Sequence, residues 1–347
     1  MLIFWLMFIT VASMALFVDS NRQLNQIPWI VIGLIFTFLM GFRDEVGGDW
    51  GNYLRHYENA KGVPLFYALS HNGDPAHQFL DWLMASWDLG VYGTNVIYST
   101  LFMIGLIKFS RVQVYPWLTM TVAVPYLIIV VGMGFSRQAV AIGLFLLAVS
   151  YLQKGKFKLY VALIFFAALF HKTAILLLPL GIFLYGSKGI VLRVFMVIII
   201  AYGAWDLLFA SHQEDLWKNY VEAKLQAEGA KIRVLMNFIP SILLLLYRKE
   251  WQKNFVDYSF WFWIAIGSIL SLGLVNFASM AVDRVALYFI PIQLVVFSRL
   301  PFLARKEIPP NLVKIMIILG YALVLFIWLN FANHAIFWLP YQNIIFQ

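Results

Sequence analysis

A short polar segment between two apolar stretches concentrates the residues that are able to do chemistry in this 347-residue chain. Between Arg43 and Tyr57 it contains three glycines, two arginines, three carboxylates and a histidine. Glycine lets the backbone adopt positive φ and approach a ligand closely, and guanidinium groups bind anions. We therefore predict an anion-binding segment in which Arg43 is either a ligand or the partner of Asp44 or Glu45 in a surface ion pair. Asp49 either acts as a base or caps the helical stretch that follows it.

Two further arginines, Arg137 and Arg284, are predicted to stand at the N-termini of apolar helices. The positive end of a helix dipole disfavours a cation, so both positions need an explanation. A phosphate-like anion bound between the guanidinium group and the helix N-terminus removes that cost. We predict such binding at both arginines. The alternatives are that Arg137 pairs with an acid of the 42–58 loop or with lipid headgroups and that Asp283 caps the second helix.

His171 and Lys172 lie in a turn between two apolar stretches, where an ionisable residue indicates function. The ordinary histidine pKa of about 6.5 suits proton transfer, which makes His171 a second candidate base. Alternatively, its ring donates one hydrogen bond to a backbone carbonyl. The sequence has no nucleotide-binding or zinc-binding motif, and Asp44 with Asp49 is a weak set for a divalent cation. We expect neither a metal nor a cofactor.

The composition of the whole chain excludes a soluble globular protein, since 62% of its residues are hydrophobic and 12% are charged. Apolar blocks of roughly 15–20 residues suit helices that cross a bilayer and do not suit barrel strands. We predict an all-α, polytopic integral membrane protein with a single transmembrane domain over residues 1–347. The twelve predicted spans lie near residues 1–18, 28–41, 92–108, 117–132, 136–152, 158–171, 172–187, 191–210, 234–248, 258–277, 284–299 and 312–331.

The distribution of charge predicts which way these spans face. One set of alternate loops contains 15 of the 25 lysines and arginines but only four of the 17 acids, so we place those loops in the cytoplasm. All six histidines then fall on the outer side. Membrane orientation thus accounts for the net charge of +8, and no nucleic acid partner is expected.

Two outer segments, residues 42–91 and 211–233, are long enough to cover an active site. In the first, Phe79, Trp82 and Trp87 share the apolar face of a predicted helix, which suits the membrane interface and the hydrocarbon tail of a lipid. The second mixes charged and apolar residues and is predicted to form a solvated lid helix.

Several motifs together resemble the EpsG-like family of polytopic proteins, which polymerise exopolysaccharide or O-antigen repeat units alongside Wzy polymerases. The motifs are Gly41-Phe42-Arg43-Asp44, Gly48-Asp49-Trp50, Asn52-Tyr53, Ser136-Arg137-Gln138-Ala139-Val140-Ala141, Phe170-His171-Lys172-Thr173-Ala174, Arg284 to Phe289 and Pro340-Tyr341. The resemblance implies a glycosyltransferase of the bacterial inner membrane with its active site on the periplasmic face. A GT-C-like arrangement of helices is one option for its fold.

The resemblance also implies what the protein binds. Donor and acceptor glycans would be carried on undecaprenyl diphosphate among the membrane lipids, with a chain-length-regulating co-polymerase and a flippase as candidate partners. A diphosphate leaving group needs cations and no general acid, and the predicted ligands are Arg137, Arg284, Arg43 and Lys172. His171 or Asp49 would deprotonate the acceptor hydroxyl, and a single displacement would invert the anomeric centre.

Sugar binding is predicted for residues that follow Asp49. Tyr53 and Tyr57 share one face of a predicted helix and would stack on sugar rings, with Asn52 beside them, unless the tyrosines only line the membrane interface.

Two other classes of function remain open from the sequence. A membrane O-acyltransferase that modifies a surface glycan would also use a deep histidine such as His171 as its base. A flippase for lipid-linked oligosaccharides would favour charged or broken helices near the middle of the membrane, whereas most ionisable residues here are predicted at the boundaries.

Overall fold

The computed structural model describes residues 1–18, 25–70, 73–184, 229–277 and 279–347, together with isolated residues between 190 and 202. Its helices, numbered along the described chain, are α1 (Leu2–Phe17), α2 (Gln26–Gly41), α3 (Trp50–Ala60), α4 (Leu65–Leu69), α5 (Pro75–Ser86), α6 (Gly90–Ser110), α7 (Pro116–Ala123), α8 (Ser136–Leu152), α9 (Phe157–Phe170), α10 (Ala230–Leu246), α11 (Arg248–Asn254), α12 (Tyr258–Leu274), α13 (Ser279–Leu287), α14 (Pro291–Leu303) and α15 (Pro310–Phe331). A π-helical segment, Val124–Gly132, continues α7, and 3-10 helices span Lys172–Leu184 and Asn333–Phe337. Two short strands, β1 (Arg43–Asp44) and β2 (Gln342–Asn343), pair antiparallel.

The apolar helices agree with an all-α membrane protein, whereas twelve spans are not confirmed. Among the described residues, α6 and α15 are each long and apolar enough to cross a bilayer. Two bent pairs, α10 with α11 at 76° and α13 with α14 at 48°, raise the number to four if each pair is one span. The predicted span 191–210 and the predicted lid 211–233 lie largely outside the described residues.

Helix α8 lies at the centre of the bundle, because neighbouring helices cover nearly all of its surface. Fourteen of its 17 residues are buried. Helix α6 approaches it at two glycines, where a Cβ on Gly105 would stand 1.9 Å from the carbonyl oxygen of Gly143. Small residues allow such close approach of helix backbones in a membrane. This packing fixes α8 and therefore the residues at its first turn.

A buried polar network ties helices together at the end of α8 that is remote from Arg137. Arg299 of α14 makes two hydrogen bonds of 2.7 Å to Asp257, one to each carboxylate oxygen. Gln153, directly after α8, donates to the same carboxylate at 2.8 Å. Because the 17 residues of α8 extend about 25 Å, this network and Arg137 lie at opposite ends of the helix. Their assignment to opposite sides of the membrane stays a prediction.

Asp257→Ala is expected to destabilise the fold by about 3–5 kcal/mol, because it leaves the buried guanidinium of Arg299 without a counter-charge. Thermal unfolding of the detergent-purified protein measures the loss. Glu58→Ala is the control, since Glu58 pairs with Lys61 on the exposed surface, where ion pairs contribute little. Equal unfolding temperatures for the two variants would contradict a structural role for the network.

Candidate active site

Asp74 joins three segments of the chain at one end of the bundle. Arg137, in the first turn of α8, donates from Nη1 to Asp74 Oδ2 at 2.9 Å. The backbone N–H of Lys172 donates to Asp74 Oδ1 at 3.1 Å. His171, which ends α9, places Nδ1 at 3.8 Å from Oδ2, which is too long for a hydrogen bond. We call these four residues the Asp74 cluster.

The Asp74 cluster combines a carboxylate with a neutral imidazole at neutral pH. Burial raises the pKa of Asp74, but His171, Arg137 and the Lys172 N–H together hold it below its ordinary value. Burial lowers the pKa of His171 below 6.5 although the Asp74 carboxylate acts in the opposite sense, and the positive charges of Arg137 and Arg284 add to the lowering. An unprotonated ring beside a fixed carboxylate is the charge state that a general base needs.

Arg137 stands at the N-terminus of α8 as predicted, because the helix begins at Ser136. The anion beside it is the chain's own Asp74, which is 5% exposed. The side chain of Arg137 keeps 29% of its surface exposed, so it still has a face that a substrate can reach. Lys172 enters the cluster through its backbone N–H, which is a different contact from the predicted one through its ammonium group.

The predicted position of Arg284 at a helix N-terminus is wrong. Helix α13 begins at Ser279, and Arg284 lies in its last turn, where the helix dipole favours a cation. Asp283 does not cap a helix but pairs with Arg233. The Arg284 carbonyl accepts a 2.7 Å hydrogen bond from Gln138, and its guanidinium lies 5.7 Å from the ring of Phe135. Among the described residues Arg284 forms no ion pair, which leaves its charge available to a ligand.

Arg43 is enclosed by the protein, which corrects its prediction as a diphosphate ligand. It is 1% exposed and donates to the carbonyls of Met40 and Val46. It also donates to Asn95 Oδ1 at 3.2 Å and to Ser136 Oγ at 2.7 Å. With its donors engaged in this way, Arg43 fastens the polar segment to the residue that precedes Arg137. Its role is to position the first turn of α8.

Tyr53 and Tyr57 are also enclosed, at 4% and 3% exposure, so they have no free ring face for a sugar. Their shared face of α3 packs toward α5 and α6. The Tyr53 hydroxyl accepts from the backbone N–H of Arg137 at 3.3 Å, and the Tyr57 hydroxyl accepts from Gly90 N–H at 3.1 Å. Asn52 is exposed and its side chain donates to Asp49 at 3.4 Å. Of the three predicted sugar ligands, Asn52 alone stays accessible.

Two cavities flank the start of α8. The first, of about 260 Å³, we call the polar cavity, and Arg137 lines it together with His56, Asn59, Tyr67, His77, Gln78 and Asp81. The second, of about 370 Å³, we call the arginine cavity, and its charged or titratable lining residues are Asp49, Tyr126, Arg233, Asp283, Arg284 and His334. Phe135 lines the arginine cavity and Arg137 lines the polar one. The first turn of α8 therefore separates two potential binding sites.

A second titratable cluster forms one wall of the polar cavity. Nδ1 of His77 lies 2.8 Å from the hydroxyl of Tyr98 and 3.3 Å from Asp81 Oδ2. Thr94 donates to Asp81 at 3.0 Å. Burial raises the pKa of Asp81 to about 7 and lowers the pKa of His77 well below its usual range. Both groups are thus able to exist uncharged near neutral pH, which suits a cavity wall that contacts a neutral polar ligand such as a sugar.

Several buried polar atoms beside these cavities have no hydrogen-bond partner among the described residues. They are both ring nitrogens of His171, Oε1 of Gln138 and Nε2 of His77. An unsatisfied buried polar atom costs about 1–3 kcal/mol, and such costs are concentrated where a ligand or catalysis uses the group. Their grouping around the first turn of α8 marks that turn as the candidate active site.

Gly47 holds the polar segment against the C-terminal part of the chain. It has a φ of +109°, and a Cβ there would stand 2.3 Å from the carbonyl oxygen of Met133. Its N–H donates to the carbonyl of Phe337 at 2.8 Å, while Trp338 donates from its indole to Ile129 at 2.9 Å. With the pairing of β1 and β2, these contacts bring the segment after α2, the residues before α8 and the C-terminus together.

Gly47→Ala is therefore expected to lower activity at least about tenfold, because the added methyl group meets backbone and the positive φ strains any side chain. Gly51→Ala is the matched control, since a Cβ at Gly51 meets nothing within 4 Å. Activity per folded molecule is the measurement, with the folded fraction taken from gel filtration. Equal activity of the two variants would show that the segment's backbone does not position the site.

Sequence reasoning missed Asp74, His77 and Asp81, although each had a local signal. Asp74 precedes Pro75, and an acidic residue before proline is typical of a helix start. His77 and Asp81 are four residues apart, which places them on one face of α5. None of these signals shows that Asp74 meets Arg137, because that contact joins residues 63 positions apart in the chain.

Comparisons with known proteins identify one family. A family model described as the EpsG family matches residues 26–343. No curated protein matches the chain, and no solved structure matches it. The match includes every segment that contributes to the Asp74 cluster and to the two cavities.

Proposed function

Since this chain belongs to the EpsG family, a polysaccharide polymerase-like family, we propose that it polymerises oligosaccharide repeat units carried on undecaprenyl diphosphate. The proposed enzyme is a glycosyltransferase that transfers a growing glycan from one lipid diphosphate to the terminal sugar of another. The proposed location is the bacterial inner membrane, with the Asp74 cluster on the outer face. Membership of the family and the apolar helices support a membrane protein of polysaccharide biosynthesis.

The observation that carries the proposal is the meeting of Arg137, Arg284 and His171 at the first turn of α8. Gln138 links the turn to the Arg284 carbonyl at 2.7 Å, and the charges of both arginines act on the His171 ring. Transfer from a lipid diphosphate needs cations for the leaving group and a base for the acceptor hydroxyl. This turn offers both functions side by side.

The donor diphosphate is assigned to the arginine cavity. Arg284 lines that cavity and has no ion pair among the described residues, whereas Arg233 is paired with Asp283. Negative charge grows on the diphosphate as the glycosidic C–O bond breaks, and a preorganised guanidinium stabilises the transition state more than the bound donor. Arg137 adds positive charge from the other side of the turn.

The acceptor sugar is assigned to the polar cavity, whose lining includes His56, Asn59 and Gln78 as hydrogen-bonding side chains. His171 takes the proton of the acceptor hydroxyl as that oxygen bonds to the anomeric carbon, and the diphosphate leaves with the electron pair of the broken bond. The negative charge of Asp74, whose Oδ2 lies 3.8 Å from Nδ1 of His171, stabilises the protonated form of that ring. Asp49, which lines the arginine cavity, is the second candidate base.

The proposal is tested by incubating the purified protein with lipid-diphosphate-linked repeat units and separating the glycans by size. A ladder of longer glycans supports polymerisation, and NMR of the new linkage is expected to show inversion relative to the donor bond. Acyl transfer to the glycan without elongation would favour an O-acyltransferase. Movement of intact lipid-linked units across a vesicle membrane without elongation would favour a flippase.

A further inference from the structure

An apolar groove of about 400 Å³ runs between α10, α14 and α15. Its walls are formed by side chains such as Met236 and Leu243 of α10, Phe297 and Leu300 of α14, and Ile317 of α15. Gly320 of α15 also lines it, and a Cβ at that glycine would meet nothing within 4 Å. The groove has the dimensions and lining of a site for a hydrocarbon chain.

The groove and the arginine cavity lie along the same two helices, α10 and α15. On α10, Arg233 lines the cavity, and Met236, Ile239 and Leu243 follow it along the groove. Steps of three and four residues keep these side chains on one face of the helix. The ten residues from Arg233 to Leu243 extend about 15 Å. On α15, Trp328 lines the cavity and Val324 lines the groove one turn away.

The polar side chains in the groove wall are bonded to one another. Tyr321 donates to Gln293 at 2.7 Å, and Gln293 donates to Asn237 at 2.7 Å. Asn237 in turn donates to the carbonyl of Ala286 at 2.8 Å. This chain joins α15, α14, α10 and α13, so it sets the spacing of the helices around the groove. These hydrogen bonds also engage the polar groups of Tyr321, Gln293 and Asn237, so the groove presents an apolar surface to a ligand.

We infer that this groove binds the polyprenyl chain of the lipid diphosphate whose diphosphate lies at Arg284, an assignment that rests on the proposed function. The charges support this occupant, because the polar end of the path offers a guanidinium without an ion pair among the described residues. The apolar end suits a hydrocarbon chain and offers no group to a sugar. The tail is thus placed between α10, α14 and α15. The sequence predicted it along Phe79 and Trp82 of α5 and Trp87 directly after that helix.

Substitution of Gly320 adds bulk to the groove wall at a position where a Cβ meets nothing within 4 Å. A graded series, Gly320→Ala, Gly320→Leu and Gly320→Trp, occupies increasing space and replaces a residue that is unfavourable inside a helix. Gly273 of α12 is the matched control, since it is also an exposed glycine whose Cβ would meet nothing within 4 Å, and it lines neither the groove nor the two cavities. Gly273→Trp therefore tests for a general effect of tryptophan in an apolar helix.

The test uses the full chain in detergent micelles and a photoreactive long-chain polyprenyl diphosphate that carries no glycan. Half-maximal labelling is expected to need about tenfold more probe for Gly320→Trp than for the wild type, which corresponds to losing the burial of about two methylene groups. Gly320→Leu is expected to fall between them, and Gly273→Trp to match the wild type. A diphosphate with a two-isoprene tail is expected to bind all five proteins, including Gly320→Ala, equally.

Labelled peptides are expected from α10, α14 or α15. The assignment would be overturned if Gly320→Trp needed no more probe than the wild type for half-maximal labelling. It would also be overturned if the labelled peptides came from α5. Displacement of the probe by phospholipid as readily as by unlabelled polyprenyl diphosphate would mean a groove for bilayer lipid and would also overturn it. The probe carries no glycan, so labelling in the groove does not depend on polymerase activity. If the groove is labelled but the assay with lipid-linked repeat units gives no glycan ladder, the proposed polymerase activity is contradicted and the groove assignment is still supported.

Discussion

The His171→Gln variant is expected to lose turnover by about 10²–10⁴-fold, the usual contribution of a general base. Glutamine has a similar length and can donate or accept a hydrogen bond, but it cannot take up a proton at neutral pH. Asp74 keeps its contacts with Arg137 and the Lys172 N–H in this variant, so folding is expected to survive. Single-turnover kinetics with a lipid-linked donor and acceptor measure the effect.

The pH profile gives a separate test of the same residue. Burial lowers the pKa of His171 below 6.5, so the ring is unprotonated at neutral pH and becomes protonated as the pH falls through its lowered pKa. Wild-type turnover is expected to be level above pH 6.5 and to fall on the acid side. His171→Gln should lack this acid limb, whereas Asp49→Asn should retain it. An acid limb that persists in His171→Gln and disappears in Asp49→Asn would make Asp49 the base.

The Arg284→Ala variant is expected to reduce kcat by about 10²–10³-fold, as loss of one preorganised donor to a developing negative charge typically does. Arg284 packs near Phe135 and forms no ion pair among the described residues, so its removal leaves no buried carboxylate uncompensated. Arg284→Lys should recover part of the loss, because an ammonium group supplies the charge without the planar geometry of guanidinium.

Arg55→Ala is the matched control for Arg284→Ala, since it removes the same charge from an exposed position on α3. Its kcat is expected to stay within about twofold of the wild-type value, because exposed charges are screened by salt. If the two variants lose activity equally, the arginine cavity does not hold the leaving group.

The sequence predicted those features that depend on neighbouring residues along the chain. The apolar blocks gave most helices near their observed bounds, and the start of α8 at Ser136 followed from the residues around Arg137. Family motifs also predicted the EpsG family, which the match over residues 26–343 confirms.

Features that depend on contacts between distant segments could not be predicted in this way. Arg284 looked like the start of a helix because Asp283 is a typical cap, but helix α13 runs from Ser279 and the break follows at Pro291. Arg43 looked exposed, yet it is buried by Asn95 and Ser136 from other helices.

The type of helix also differs from the predicted α-helix in two spans. The predicted span 117–132 contains the π-helical segment Val124–Gly132. Residues 172–187 read as an ordinary transmembrane helix, whereas Lys172–Leu184 forms a 3-10 helix with Pro179 inside it. Proline has no N–H to donate and disfavours regular α-helix. An apolar run thus predicts that a segment is helical more securely than it predicts the hydrogen-bond pattern of that helix.

The most direct test is a cryo-EM structure of the protein with a non-transferable lipid-diphosphate donor. The diphosphate is expected to contact Arg284 in the arginine cavity, with the anomeric carbon directed toward His171 and the first turn of α8. A diphosphate bound at the opposite end of the bundle near Arg299, or one that contacts neither Arg284 nor Arg137, would contradict the proposed active site.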